Sequence, residues 1–180
     1  MKTRNLFAAT GLALLAMTLS AAGFAETHAK IDTESKAALA KFYAMNPQHK
    51  KLEARAAGML VFPEVTKAGA GVAGEHGNGL LMVHGKTVGY YSTSSASVGL
   101  TVGVSHRSEV IMFMTQKALD DFMASKGWSV GAETGLAVAK NGGGGDYDSD
   151  TLKKSIIGFV FSEKGLMADV SLEGSKITKI

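Results

Sequence analysis

The spacing of glycines through the middle of the chain constrains the fold more than any other feature. The stretch K-A-G-A-G-V-A-G-E-H-G-N-G, residues 67–79, carries five glycines and lies between short apolar runs rich in β-branched residues. A helix does not tolerate this density, because each interior glycine costs about 1 kcal/mol relative to alanine. In strands, glycine lets a backbone bend, bulge or approach another backbone closely. The stretch therefore predicts a tightly curved sheet.

The same stretch contains the spacing G-x-G-x-x-G, at residues 69–74, that is typical of dinucleotide-binding loops. That motif requires a preceding strand and a following helix whose N-terminus faces the pyrophosphate. Here more glycines follow, and then the extended apolar run 80–83. The tripeptide at 85–87, G-K-T, resembles the end of a phosphate loop, but Leu80 occupies the place of the first glycine. Neither motif predicts a nucleotide site, and residues 85–87 are interpreted as part of a hairpin turn.

Hydrophobic periodicity divides the chain into helical and extended segments. A first helix capped by Asp32 or Thr33 is expected to run to Met45, and a second from Gln48 to Ala57. Thr115 is expected to cap one later helix. The remaining β-rich runs are 59–62, 79–84, 87–94, 97–105, 109–114, 129–140, 156–161, 166–172 and 176–180. Short turns between such runs are typical of antiparallel neighbours. The sequence predicts an α+β fold with a mainly antiparallel, strongly curved sheet, either barrel-like or a sandwich, with N-terminal helices and one inserted helix.

The first residues have the pattern of a secretory signal peptide. A basic start, M-K-T-R-N, is followed by an apolar run over 6–19 and small residues around Ala22 and Ala25. The alternative, a retained membrane anchor, is disfavoured because the run is shorter than the roughly 20 apolar residues that span a bilayer. Residues 1–25 are interpreted as the signal peptide, 26–38 as a lead-in and 39–180 as the folded domain. The expected location is periplasmic or secreted, after cleavage near Ala25.

Composition excludes several classes of protein. The chain has no cysteine, so it has no disulfide, no thiolate metal site and no lipid-bearing cysteine of a lipoprotein. The net charge is +3 and falls when the basic start is removed, which gives no reason to expect a nucleic-acid partner. The five histidines form no local metal-ligand pair, and no G-x-S-x-G nucleophile motif is present. The sequence indicates neither an enzyme nor a cofactor.

A loop rich in aspartate is the strongest candidate for a metal site. In N-G-G-G-G-D-Y-D-S-D, residues 141–150, three acidic residues alternate as hard oxygen ligands do in a calcium loop: Asp146, Asp148 and Asp150. The loop departs from the EF-hand pattern at the glycine position, which is Thr151, and at the twelfth position, which is Ile157. A solvated loop between strands is therefore the favoured interpretation.

Several short motifs together resemble one known family. They are L-V-F-P-E-V (60–65), K-A-G-A-G-V-A-G (67–74), G-Y-Y-S (89–92), G-F-V-F (158–161) and S-L-E-G-S-K-I (171–177). In this order, over Leu39 to Ile180, they resemble the SYLF domain family, whose bacterial members include secreted lipid-binding proteins and whose fungal relatives bind actin. The resemblance implies a phospholipid-binding module, with phosphoinositides as the eukaryotic ligands. In an exported bacterial protein, actin binding is not expected.

The residues that fit such a function are basic. Lys50, Lys51 and Arg55 place three positive charges on the second predicted helix, and the last two are four residues apart on one face. Lys67 precedes the glycine run, where free backbone N–H groups could receive a phosphate. Lys86 lies on the hairpin turn. These five residues are the predicted contacts with an anionic phospholipid or membrane surface. In the alternative interpretation, the apolar residues of the helix pack on the sheet and its lysines are simply solvated.

The sequence therefore leaves three functional classes open, of which an enzyme without a recognisable motif is the least favoured. The first is a non-enzymatic module of the bacterial periplasm or cell envelope that binds anionic lipid head groups. The second is a periplasmic structural or assembly protein without lipid binding, whose C-terminal strand 176–180 adds to the sheet edge of a neighbour. A homo-oligomer is compatible with either function.

Overall fold

The structure is a computed structural model that describes residues 9–139, 147–167 and 169–180, with side chains from residue 27 onward except at 100 and 101. The helices are α1 (Ala9–Met45), α2 (Gln48–Arg55), α3 (Gln116–Ala124) and α4 (Ser149–Leu152), with a short 3-10 turn at Ala132–Thr134. The strands are β1 (Gly58–Val83), β2 (Lys86–Phe113), β3 (Trp128–Ser129), β4 (Leu136–Val138), β5 (Ile156–Ser162), β6 (Gly165–Leu166) and β7 (Lys176–Lys179). Within these described ranges no helix combines the length and apolar character needed to cross a bilayer.

A single long hairpin forms the centre of the molecule. β1 and β2 pair antiparallel from Gly58 opposite Phe113 to Val83 opposite Lys86. His84 and Gly85 close the hairpin, with φ of 50° and 75°. Two consecutive residues with positive φ are characteristic of the tight hairpin turn whose twist matches that of the strands. The five short strands predicted between 59 and 114 are thus parts of two continuous ones, joined at the predicted turn.

β1 folds over on itself near Ala70. A Cβ atom added at Gly79 would lie 2.1 Å from the carbonyl oxygen of Val61, and one added at Gly77 would lie 2.5 Å from that of Glu64. The second half of the strand therefore returns past the first, backbone against backbone, at a distance that only glycine permits. The glycine run thus shapes a curved sheet, as predicted.

The other strands extend this hairpin into a seven-stranded sheet in the order β3-β7-β2-β5-β4, with β1 on β2 and β6 on β5. All pairings are antiparallel except that of β4 with β5. The sheet curls into a half-barrel, which confirms the α+β class with N-terminal helices and a curved, mostly antiparallel sheet. β7 pairs with β2 on one side and, at Ile177 and Lys176, with β3 on the other.

Both faces of the sheet are covered, because side chains of successive strand residues point to opposite faces. On one face, α1 and α2 pack Phe42 and Leu52 against Val61, Met112 and Phe159. On the other face, α3 packs Leu119 and Phe122 against another set of buried strand side chains, which includes Leu60, Phe62, Ile111, Phe113 and Val160. The N-terminal helices are thereby fixed to the sheet by their apolar sides.

Some predicted boundaries are wrong. Asp32 and Thr33 do not cap α1, which begins well before them; the Asp32 carboxylate instead accepts a hydrogen bond from the Tyr90 hydroxyl at 3.1 Å. The predicted strand 129–140 is broken by a 3-10 turn, and in the described part of the region around 166–172 the strand is limited to Gly165–Leu166. The cap at Thr115 is confirmed, since its side-chain oxygen accepts from the Ala118 N–H at 3.2 Å.

Candidate functional site

The exposed face of α2 carries the first group of predicted contact residues. This short helix buries His49 and Leu52 against the core. With 3.6 residues per turn, the residues pointing away from that side are Lys50, Lys51, Ala54 and Arg55, and all four are exposed. The three basic side chains therefore form one continuous face in solvent, as the predicted helix requires.

The acidic residue of α2 does not neutralise this face. Glu53 is hydrogen-bonded to Tyr43 of α1. Burial is the largest cause that raises the pKa of Tyr43 above its ordinary value, and the hydrogen bond to Glu53 raises it further. The Lys50 ammonium lies 5.5 Å from the centre of the same Tyr43 ring, within the range of a cation–π contact. Among the described residues, no carboxylate lies within ion-pair distance of Lys50, Lys51 or Arg55.

The hairpin turn lies beside this face. A cavity of about 440 Å³ between the turn and α2 is lined by Lys50, Glu53, Ala54, Ala56, Gly58, Met59, Met82, His84 and Gly85. Lys86, the next residue after the turn, is exposed. The structure thus brings the α2 cations and the turn to one end of the molecule. We call the group Lys50, Lys51, Arg55, His84 and Lys86 the basic end.

Lys67 lies elsewhere and is already paired. Its ammonium is 3.2 Å from a carboxylate oxygen of Glu75, and only 25% of its side chain is exposed. Glu75 also binds the Arg107 guanidinium, which in turn contacts Glu109 at 2.8 and 2.9 Å. The structure therefore separates Lys67 from the basic end and places it in a charge cluster along the hairpin.

The charge cluster is a structural feature of the folded β1–β2 hairpin, which we call the ribbon. Burial would raise the pKa of Glu75, but the hydrogen bond and charge of Arg107, together with Lys67, hold it below its ordinary value. Burial dominates at Glu109, which is 2% exposed, and raises its pKa. A buried arginine between two carboxylates is costly to disrupt, because each partner would keep an uncompensated charge. We therefore assign these residues to the stability of the hairpin.

The aspartate loop is only partly described. Asp146 lies outside the described residues. Asp148 precedes α4 at its N-cap position, and Asp150 is paired with Lys153 at 3.3 Å. Across the described ranges, no three histidine or acidic side chains are grouped so that they could hold a metal ion.

A second surface feature is apolar and lies where the hairpin folds over. The large hydrophobic side chains that protrude there are four valines: Val72 (62% exposed), Val98 (87%), Val102 (85%) and Val104 (66%). Val72 lies opposite Val98 in the strand pairing, and Val102 lies opposite Ala70. We call the segments 68–74 and 96–104, which contain these valines, the apex.

The register of the hairpin shows how the apex is formed. Between the pairs Val72–Val98 and Ala70–Val102, two steps along β1 are matched by four along β2, so β2 bulges outward. Gly71 and Gly103, with φ of 77° and 113°, adopt backbone conformations that other residues rarely take. The first half of β1, from Gly58 at the base of the hairpin to Ala70, advances twelve residues and is at most about 40 Å long. The apex and the basic end therefore lie at opposite ends of the folded ribbon.

The sequence prediction missed the apex, although one signal for it was present. Residues 94–105 contain no ionisable side chain but three valines. The run was interpreted as an ordinary strand. The exposure of its valines could not be predicted, because it depends on the fold-over of β1. His84 was also missed, since its position beside α2 follows from the hairpin as a whole.

Comparison with protein families gives a match. The model of the family Ysc84, described as "Las17-binding protein actin regulator", matches residues 94–179. No curated protein matches the chain. The matched residues begin in β2 near the apex and run through α3 to β7.

Proposed function

Residues 94–179 belong to the SYLF domain family, and on that premise we propose that the chain binds anionic phospholipid head groups at its basic end without catalysing a reaction. The family is one of binding domains related to lipid and actin recognition. The observation that carries the proposal is the cluster of exposed basic side chains on α2, which has no carboxylate partner among the described residues.

The electrostatics of the basic end fit a membrane surface. A lysine or arginine near an anionic bilayer contributes about 1 kcal/mol. The four fixed charges at Lys50, Lys51, Arg55 and Lys86 would therefore contribute about 4 kcal/mol at low ionic strength. Salt screens such contacts, because the Debye length falls to about 3 Å at 1 M. Binding by the basic end is thus expected to be of modest strength, reversible and sensitive to salt.

A binding role without catalysis agrees with the way the buried ionisable groups are used. His49 is fully buried, and its two ring nitrogens contact the Phe42 carbonyl and the Tyr147 hydroxyl. Glu109 is held by Arg107. Each of these groups has a structural partner within the core or the ribbon, so neither is presented to a substrate.

The sequence of the first residues supports a location in the bacterial envelope. We accordingly propose phosphatidylglycerol, cardiolipin or the phosphates of lipopolysaccharide as the ligands. The description of the matching family names an actin regulator. An envelope protein does not meet actin, so we do not extend that partner to this chain.

Vesicle co-sedimentation tests the proposal. The purified protein is mixed with vesicles of phosphatidylcholine alone or with phosphatidylglycerol or cardiolipin, in low and high salt. We expect pelleting only with the anionic vesicles and release by salt. The triple variant Lys50→Gln, Lys51→Gln, Arg55→Gln should bind about a hundredfold more weakly at low salt, since it loses about 3 kcal/mol of surface attraction.

A matched control separates the basic end from net charge. The variant Lys126→Gln, Lys154→Gln, Lys164→Gln changes the net charge equally at exposed residues of other segments. It should pellet with anionic vesicles nearly as the unmodified protein does. Equal weakening by both triple variants would contradict a site at the basic end, and no pelleting of the unmodified protein would contradict lipid binding itself.

A further inference from the structure

We propose that the apex is a membrane-insertion tip, which places its valine side chains among the lipid acyl chains just below the head groups. The inference builds on the proposed lipid-binding function but concerns a different surface, at the end of the ribbon remote from the basic end. No charged group takes part in it, so it has its own experimental signature.

The exposure of the valines is the first argument. Val98 and Val102 are 87% and 85% exposed, more than any other large hydrophobic residue among those described. They lie on a convex bend and not in a groove. With Val72 and Val104 they expose a few hundred Å² of apolar surface at most. A stable protein interface buries roughly 800 Å² on each partner. A patch this small and protruding is better suited to shallow insertion in lipid than to a second copy of the chain.

The absence of charge at the apex is the second argument. Residues 68–74 and 94–105 contain no ionisable side chain. A charged group at this position would oppose transfer into hydrocarbon. The only polar side chains of these runs are hydroxyls, at Ser94, Ser95, Ser97, Thr101 and Ser105. The surface from the bend to the first charge is therefore apolar or weakly polar.

The strand pairing lowers the cost of leaving water. Val72 and Ala70 of β1 pair with Val98 and Val102 of β2, so the ladder holds on both sides of the bend and leaves out Gly71 of β1 and residues 99–101 of β2. Backbone groups that are already paired can enter the edge of the hydrocarbon region, whereas unpaired ones cannot. The paired flanks of the apex can therefore enter the lipid, and the unpaired backbone of the bulge at 99–101 confines the insertion to the boundary of the hydrocarbon region, where water is still within reach.

Charged residues between the apex and the base of the hairpin limit how deeply the apex can enter a bilayer. Lys67 and Glu75 form an ion pair on the ribbon, and the exposed side chains of Glu64 and His106 lie 3.6 Å apart further down. These groups would remain at the level of the head groups. The predicted insertion is therefore shallow and confined to the apex.

A fluorescent probe tests insertion directly. The chain has no cysteine, so the variant Val98→Cys can be labelled at one position with an environment-sensitive nitrobenzoxadiazole dye. On vesicles of phosphatidylcholine and phosphatidylglycerol, we expect a blue-shifted emission, and quenching by lipids that carry a nitroxide near the head group. The matched control is Met123→Cys on α3, where an exposed apolar residue is replaced; its dye should keep the emission that it has in water.

Charge substitution provides the second measurement. The variant Val98→Asp, Val102→Asp should partition into anionic vesicles at least about tenfold less than the unmodified protein. Both side chains are exposed, so its melting temperature should change little. Met123→Asp should leave partitioning almost unchanged. Equal partitioning of the apex variant and the unmodified protein would overturn the inference.

The outcomes distinguish this inference from the proposed function. If the protein pellets with anionic vesicles while the dye at residue 98 stays in water, the insertion is overturned and the lipid-binding function stands. If the dye inserts but the glutamine variant of α2 binds normally, the role of the basic end is overturned instead. If the dye shifts without vesicles, and sedimentation shows a dimer that Val98→Asp dissociates, a second copy covers the apex and the inference is wrong.

Discussion

Gly79 lies against the backbone of Val61, where the second half of β1 returns past the first. A methyl group at this position would meet the Val61 carbonyl oxygen at 2.1 Å and the Phe62 ring at 2.6 Å. Both neighbours are buried and belong to the core. The fold-over of the hairpin thus depends on missing side chains at a few defined contacts, whereas a Cβ atom at Gly74 of the same run would meet nothing within 4 Å.

A pair of alanine substitutions tests this distinction. Gly79→Ala should lower the free energy of unfolding by about 1–3 kcal/mol or prevent folding, because overpacked backbone must move apart. Gly74→Ala should have a much smaller effect, since a Cβ atom there meets nothing within 4 Å. Urea unfolding followed by circular dichroism measures both. Equal destabilisation by the two variants would show that glycine flexibility, and not close approach, explains the run.

Sequence reasoning succeeded for single residues where local geometry decides exposure. Lys50, Lys51 and Arg55 lie outside because helical spacing turns His49 and Leu52 inward. It did not succeed for Lys67, whose partner Glu75 lies eight residues further along the same strand. Such a contact arises only when the strand folds over, and no local pattern predicts that event.

His49 joins three separate elements. It lies on α2, stacks on Phe42 of α1 with ring centres 3.8 Å apart, and contacts the hydroxyl of Tyr147 in the segment before α4. The Phe42 carbonyl can only accept, so the Nδ1 atom of the ring carries the proton and Nε2 accepts from Tyr147. The neutral ring therefore has one donor and one acceptor role, which holds α1, α2 and this segment together.

This contact predicts that stability depends on pH. Burial lowers the pKa of His49 below its ordinary value of about 6.5, and the bond to Phe42 opposes the shift only in part. The folded state thus favours the neutral ring, and the unfolded state binds the proton more readily. The stabilisation is complete above about pH 6.5 and is lost as the pH falls toward the lowered pKa of the folded state.

The variant His49→Gln isolates this contribution. At pH 7.5 it should be less stable than the unmodified protein, because the buried ring and its two hydrogen bonds are lost. The difference in the free energy of unfolding should narrow as the pH is lowered to 5.5, since only the unmodified protein must protonate His49 as it unfolds. Urea titrations at several pH values measure this gap, and a constant gap would contradict the assignment.

For individual helices and strands, the sequence predicted the type of the element better than its length. The helices α2 and α3 and the strands β5 and β7 were expected close to where they lie, because caps, proline and apolar spacing act locally. β1 and β2 were expected as several short strands, since glycine was interpreted as a break. In the structure, pairing on both sides of each bulge keeps most of those glycines within the two strands, and Gly71 and Gly103 take positive φ where the hairpin bends. Tertiary contact thus overrides their local preference.

The two candidate contact surfaces lie at opposite ends of the folded ribbon. The basic end is formed where Gly58 and the hairpin turn meet α2, and the apex where β1 folds over near Ala70. The basic residues were predicted from the sequence because they lie together on one helix. The apex was not, since its exposure and its distance from the basic end are properties of the whole hairpin. One end offers charge and the other apolar surface, so under the proposed function each end would engage lipid independently of the other.

This arrangement predicts that the protein draws vesicles together. A molecule that holds one bilayer by charge and inserts a tip into another should increase turbidity and particle size when added to anionic vesicles at low salt. Light scattering measures both. The variant Val98→Asp, Val102→Asp should lose clustering, and its remaining, weaker binding through the basic end should still be released by salt. The glutamine variant of α2 should lose clustering as well. Clustering that survives in either variant would show that the two ends do not act on separate bilayers, because loss of one contact must leave each molecule on a single vesicle.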